Sequence, residues 1–274
     1  MKFGSALVFV FIAFASSKAA EIPIVSSILQ TIFGPSTATG AAATAAVIAT
    51  KEQDISSIFK NFITDVGPRF QCGFGQSGVP VLDPLFMSEY STVFDKIGDL
   101  TNINLKVINV TTVGLSKYQV TNLKFNMDDM KLVLGMTYPQ VKMTGMHETT
   151  ATLNDQTLTG KGKYTVTVTN LHVDAVVIFS PFPKFNVSSI EFTAFSVDTV
   201  AAQFTSFGNS SADATVNKNF NAGGPVWVSS NLALLNSETA VFLLKFANER
   251  LQNFSSFANI MLAMINYSPG NPCN

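Results

Sequence analysis

Between about residues 100 and 208 the chain alternates apolar and polar side chains with a period of two, and beyond residue 236 the period lengthens to that of a helix. Ile103, Leu105 and Val107 alternate with Asn102, Asn104 and Lys106; Met130, Leu132 and Leu134 with Asp129, Lys131 and Val133. Tyr164, Val166 and Val168 alternate with Thr165, Thr167 and Thr169, and Ile190, Phe192 and Ala194 with Glu191 and Thr193. Period two, with β-branched and aromatic residues on one face, predicts antiparallel strands with one wet side. Turn signals at Gly114, Gly135, Tyr138-Pro139, Asn154-Asp155, Gly160-Lys161-Gly162 and Ser180-Pro181-Phe182-Pro183 divide the run into a meander of about seven or eight strands. Leu244, Ala247, Leu251, Phe254, Ala258, Met261 and Ile265 then recur at alternating spacings of three and four. That stripe predicts one helix of about 30 residues, roughly 45 Å long, with Asn236 or Ser237 as N-cap and Pro269-Gly270 as its stop. A long meander followed by so long a helix predicts an α+β fold in which a highly curved antiparallel β-sheet wraps the C-terminal helix. A coiled coil is the rival reading of the stripe, but the charged flanks that accompany one are missing.

Ahead of the meander, Ile55, Ile58, Phe59, Phe62 and Val66 predict a helix capped by Asp54, with an interruption at Gly67-Pro68. Gly73, Gly75, Gly78 and Pro80 then form a loop. The first nineteen residues read as a secretory signal peptide: Lys2, an apolar run from Ala6 to Ala15, then small residues up to Ala20. No later stretch is long and apolar enough to be an integral membrane span, which needs about 20 residues. Residues 20–50 carry no charge between Glu21 and Lys51. They read either as an N-terminal extension and flexible linker or as a short amphipathic segment, with Ile24, Ile28 and Ile32 on one face. The expected division is thus a signal peptide (1–19), an extension (20–50) and one folded domain (51–274).

Composition narrows the function. Seventeen basic and 18 acidic residues leave no cationic excess for a phosphate backbone, so nucleic acid is a poor partner. His147 and His172 are the only histidines, and neither accompanies a nucleophile elbow, a metalloprotease helix or a reactive-thiol motif, so no catalytic residues, metal ligands or cofactor are expected. Asp128-Asp129 lacks the remaining oxygen ligands of a calcium loop. Gly73-Phe-Gly-Gln-Ser-Gly78 has dinucleotide-loop letters after a helix rather than between a strand and a helix. Sequons at Asn109, Asn186, Asn209, Asn253 and Asn266 are candidate glycosylation sites in a secreted chain. Cys72 and Cys273 are the only thiols; pairing them would close a loop of nearly 200 residues and stabilise by up to about 5 kcal/mol, although Cys273 sits in a Pro/Gly/Asn tail.

Four of the 24 phenylalanines fall in the signal peptide, and the other twenty stand beside eight of the nine Met, five Tyr and a single Trp. Such an interior is either a plain Phe-rich core or the lining of an apolar cavity. The apolar strand faces and helix stripe supply the candidate ligand-binding residues: Leu105, Phe125, Leu132, Leu134, Val166, Val168 and Phe192, with Leu251 and Phe254 from the helix.

Gly78-Val-Pro-Val-Leu-Asp-Pro-Leu85 resembles the G-[IV]-P-x-L-D-P-L motif of the arthropod juvenile-hormone-binding/takeout family. Gly114-Leu-Ser-Lys-Tyr-Gln-Val120 with Leu123 is similar to that family's G-L-S-x-[FY]-x-V-x-x-L. Tyr138-Pro-Gln-Val141 with Thr144-Gly145, and Leu158-Thr-Gly-Lys-Gly162, follow in family order, so the likeness runs over roughly residues 54–268. The resemblance implies the tubular lipid-binding fold. It implies a monomeric, secreted carrier of a small hydrophobic ligand: juvenile hormone, another terpenoid, a fatty acid or a related lipid. It also implies that Asp83 shapes the turn entering the sheet. The cysteine pair that family members carry near the first helix has no counterpart between Lys51 and Asp54. That departure, with the uncharged extension, leaves open a mite group-7-allergen-like relative, or a structural, surface-active protein of the same fold with no dedicated ligand.

Overall fold

The computed structural model describes residues 55–72, 81, 83–180 and 185–251. Helix α1 (Ile55–Val66) ends where Gly67-Pro68 predicts, and a 3-10 turn (Gly67–Gln71) follows. Seven strands among the described residues form one antiparallel sheet: β1 (Leu85–Ile97), β2 (Leu100–Val113), β3 (Gln119–Asn126), β4 (Lys131–Leu153), β5 (Gln156–Ser180), β6 (Asn186–Ser196) and β7 (Thr199–Phe204). The sheet therefore starts at Leu85, earlier than the period-two pattern reveals. β1 lies at the sheet edge, most of its first half stays at least partly exposed, and the alternation that marks the inner strands is weak there.

The spine is the β4–β5 hairpin, paired from Lys131 opposite Ile178 to Leu153 opposite Gln156. Its turn is the expected Asn154-Asp155, with φ of 48° and 62°, the two left-handed residues of a hairpin whose twist matches its strands. β2 and β3 share the outer edge of β4, and β7 and β6 share that of β5. Where β2 slips register against β4, Asn102 and Asn109 sit at φ 48° and 52°. Asn170, at φ 49°, marks the point where β5 exchanges β7 for β6. Bulges of this kind bend a sheet and deepen its twist.

The helical region corrects the sequence reading. Helix α2 runs from Ser210 to Ser230, is followed by a short turn (Leu232–Leu234) and a π-helical stretch (Leu235–Ala240), and continues as α3 (Val241–Leu251). Its N-cap is Asn209, whose side chain accepts from the Ala212 amide at 2.9 Å; Asn236 and Ser237 lie inside the helical run. Asp213 in the first turn accepts from the Ser206 and Phe207 amides at 3.1 and 2.7 Å, where a negative charge suits the helix dipole. The stretch from Asn217 to Pro225 escaped prediction because it is full of poor helix formers. Gly costs about 1 kcal/mol and Pro about 3 kcal/mol relative to Ala in a helix interior.

Tertiary hydrogen bonds hold this helix in spite of those propensities. The Asn217 side chain takes the Phe204 amide at 2.7 Å and gives to its carbonyl at 3.0 Å. Asn236 does the same at Phe192 (2.6 and 2.8 Å), and Asn248 at Val187 (2.7 and 2.8 Å). Asn221 accepts from Ala202 at 2.5 Å. A strand residue's N–H and C=O point to the same side, so one carboxamide satisfies both as a neighbouring strand would. The free edges of β6 and β7 are thus closed by helix side chains. Near the β1–β2 turn, Asn219 accepts from the Asp99 amide at 2.6 Å, and a Cβ on Gly223 would lie 2.3 Å from the Gly98 nitrogen.

The main core lies between the concave sheet and α2, with Leu100, Ile103, Val168, Leu171, Val216 and Val228 fully buried. A second cluster gathers Ile55 and Phe59 of α1 onto Leu132, flanked by Phe125 and Phe179. Asp83 joins the two sequence motifs: its carboxylate accepts from Gly114 N (2.9 Å), Ser116 N (2.8 Å) and Ser116 Oγ (2.5 Å), while its own amide donates to Phe70 O.

Candidate ligand-binding site

A cavity of about 50 Å³ lies inside the main core, walled on one side by the sheet and on the other by α2. Phe94 of β1, Leu105 and Val107 of β2, Met143 of β4 and Tyr164 and Val166 of β5 line the sheet side, and Val200, Ala202 and Phe204 of β7 continue it. Phe220, Gly224 and Trp227 close it from α2, with the Trp227 ring edge-on to Phe94 at 5.2 Å. The wall is hydrocarbon almost throughout, which suits apolar matter and leaves water little to bond.

Its residues with a polar side-chain group are Trp227 and Tyr164. The Tyr164 ring stacks on Phe204 at 5.7 Å, the residue is 5% exposed, and its hydroxyl makes no hydrogen bond to a described residue. Burial raises its pKa above the ordinary tyrosine value, so the neutral O–H persists as a donor. Tyr138 is raised for the same reason, in the core beyond the cavity wall.

Of the sequence-selected residues, Leu105 and Val166 line this cavity. Val168 and Phe192 are buried in the same core without reaching it. Leu132 and Phe125 belong instead to the cluster under α1, Phe125 stacking on Phe59 at 5.2 Å, and Leu134 is half-buried on β4 outside the lining. The side chain of Leu251, at the end of α3, and all of Phe254 lie outside the described residues. The reason for the division is geometric. β4 and β5 are so long that one apolar face serves two clusters, one under α2 and the other under α1. Sequence reasoning missed Phe94, Tyr164, Phe220 and Trp227 as wall residues. The α2 members carried a signal, since Val216, Phe220, Gly224 and Trp227 recur at helical spacing and Trp227 is the single tryptophan.

Both histidines have hydrogen-bond partners within the sheet and its flanking loop. His147 is fully buried, with Nδ1 against Thr149 Oγ1 and Nε2 against the Thr205 carbonyl, both at 2.8 Å, and stacks on Phe207. Burial lowers its pKa. His172 sits between Thr137 Oγ1 (3.0 Å) and Asp174 (3.1 Å) on the outer face. Among the described residues no group of three His, Cys, Asp or Glu side chains is placed to hold a metal ion. On the same outer face Lys106 pairs with Glu89 at 2.9 Å and Lys161 with Glu148 at 2.5 Å, beside a broad trough of threonines. Asn109 and Asn209 are exposed and Asn186 half-buried at the start of β6; Asn253 and Asn266 lie outside the described residues. Cys72, at the end of the turn after α1, is disulfide-bonded, and Cys273 lies outside the described residues.

An apolar chamber between a bent antiparallel sheet and a helix is what the family comparison addresses. The model of the haemolymph juvenile hormone binding protein family matches residues 30–257. The chain belongs to that family. By its description the family is one of binding proteins. Among solved structures, Takeout 1 of Epiphyas postvittana is similar with a TM-score of 0.56 at 16% identity, covering 74% of this chain and 94% of that one. At that identity the likeness shows the fold, and the juvenile-hormone-binding family member described here has the takeout-like α+β architecture. A lipopolysaccharide binding protein aligns over 73% of this chain and 39% of its own at 9% identity and a TM-score of 0.37. No curated protein sequence matches the chain. Among the described residues no helix is long and apolar enough to cross a membrane.

Proposed function

We propose that this protein is a secreted, monomeric carrier of one small hydrophobic ligand, held between the sheet and α2. The observation that carries the reading is a wall of apolar side chains that includes Tyr164, whose hydroxyl makes no hydrogen bond to a described residue. Apolar burial supplies the affinity, at about 25 cal/mol per Å² before the costs of binding. Tyr164 supplies orientation by donating to a carbonyl, ester or ether oxygen. The ligand is therefore a mostly hydrocarbon molecule with one acceptor: a terpenoid such as juvenile hormone, a fatty acid ester or a related lipid. Residues 1–19 direct secretion, Asn109, Asn186, Asn209, Asn253 and Asn266 are the glycan acceptors, and Cys72 pairs with Cys273. At Asn209 the glycan would take Nδ2 and leave Oδ1 to cap α2.

Native mass spectrometry of the secreted, deglycosylated protein, followed by organic extraction, tests this. The expected result is one bound apolar molecule per chain, with a lowered load in Val166→Trp, whose side chain fills the cavity. A bare mass that stays bare after incubation with terpenoids and fatty acid esters would overturn the carrier reading.

A further inference from the structure

The cavity is far smaller than its proposed cargo. About 50 Å³ is less than the roughly 150 Å³ that holds benzene in an engineered core, and pockets for drug-sized ligands run to about 300–1,000 Å³. Within the cavity that the described residues line, a lipid is accommodated only if part of the wall yields. The sheet side of the wall is continuous ladder from β1 through β2, β4 and β5 to β7. The helix side is not uniform. Gly224, within the stretch Ala222-Gly223-Gly224-Pro225, and Trp227, two residues beyond it, line the cavity; the stretch has two of the poorest helix formers and a third residue that cannot donate a backbone hydrogen bond. Pro225 has no N–H for the Asn221 carbonyl, one turn earlier.

The carboxamides bracket this weak turn. Asn217 holds both backbone groups of Phe204 before it, and Asn236 and Asn248 hold both groups of Phe192 and Val187 after it. Asn221, at its near end, makes the single contact to Ala202 and is exposed, so water can replace that bond. We propose that residues 221–227 of α2 are a hinged portal: the helix opens there to admit and release ligand, while the carboxamides on either side keep it clamped to the edges of β6 and β7. This rests on the carrier reading for its cargo, but the hinge itself is a property of the unliganded chain.

The test has two arms. Hydrogen exchange on the ligand-free protein reads the hinge alone: amides of Gly223, Gly224 and Val226–Val228 should exchange at least about 10-fold faster than those of Val216–Phe220. Equal protection along α2 would overturn the proposal. Stopped-flow mixing with N-phenyl-1-naphthylamine, followed through Trp227, reads the passage. Pro225→Ala restores the missing donor and should slow association and dissociation together by about 5-fold with Kd within 2-fold, while Asn221→Ala should speed both. A purely structural role would move thermal stability in these variants and leave both rates unchanged, which would also overturn it. Absence of any probe binding to the wild type would sink the carrier reading and leave the exchange data to decide the hinge.

Discussion

Two helical segments cover the sheet by opposite chemistry. α1 lays Ile55 and Phe59 on Leu132 and the Phe125 ring, adding two hydrogen bonds, from the Phe125 amide to Ser56 Oγ and from the Tyr118 hydroxyl to the Ile63 carbonyl. The α2–α3 run also buries apolar residues, but it meets the strand edges through Asn217, Asn221, Asn236 and Asn248. Hydrocarbon contact is non-directional and tolerates sliding, whereas a carboxamide on a strand edge fixes register one residue at a time. The first arrangement closes a packed cluster; the second sets the position of a wall that has a weak turn in it.

The comparison breaks most sharply at Phe59. Phe59→Ala should cost about 3–5 kcal/mol in denaturant unfolding, because the α1 cluster has little else to replace the ring. A loss under about 1 kcal/mol would mean that α1 is not held by its apolar face. Gly223→Ala should come next, at about 1–3 kcal/mol, since the added methyl meets the Gly98 backbone where α2 crosses the β1–β2 turn. Asn236→Ala should cost about 1–2 kcal/mol, leaving the Phe192 N–H and C=O without their partner, and should raise hydrogen exchange at Phe192 specifically. Asn236→Ala costing as much as Phe59→Ala would erase the distinction between the two seals.

The gentlest effect is a slope with pH. His147 is buried neutral between Thr149 and the Thr205 carbonyl, and burial depresses its pKa below the unfolded value of about 6.5. The attraction of Asp213 opposes that shift without reversing it. The unfolded chain therefore takes the proton first. Stability is retained above the unfolded pKa and declines as pH falls through it toward the folded value. Unfolding free energies of wild type and His147→Asn between pH 5 and 8 should diverge in slope, the variant being flatter across that window.

The same contrast explains what the sequence disclosed. α1 was legible because Ile55, Phe59 and Phe62 repeat at helical spacing, and β2, β4 and β5 because burial on one face imposes alternation. The Asn154-Asp155 turn was legible because turn chemistry is local, whereas the bonds of Asp83 to Gly114 and Ser116 join segments more than 30 residues apart. α2 was not legible. Asn217, Asn219, Asn221, Gly223, Gly224 and Pro225 are poor helix formers, and the contacts that make them helical are with Phe204, Asp99 and Ala202, distant in the chain or on another element. With α2 hidden, half the wall was hidden too. The strand face supplied Leu105 and Val166, but nothing local separates them from Leu132 and Phe125, which belong to the other cluster.

Trp227 makes the central claim directly measurable, since the chain has one tryptophan and it stands in the cavity wall. Titration with the methyl ester of cis-parinaric acid, a fluorescent fatty acid ester, should quench Trp227 saturably at one molecule per chain, with energy transfer to the probe and loss of both in Val166→Phe. Trp227 emission indifferent to the probe, in a protein still folded by circular dichroism, would show that the space between sheet and α2 is a closed core and would contradict the carrier account.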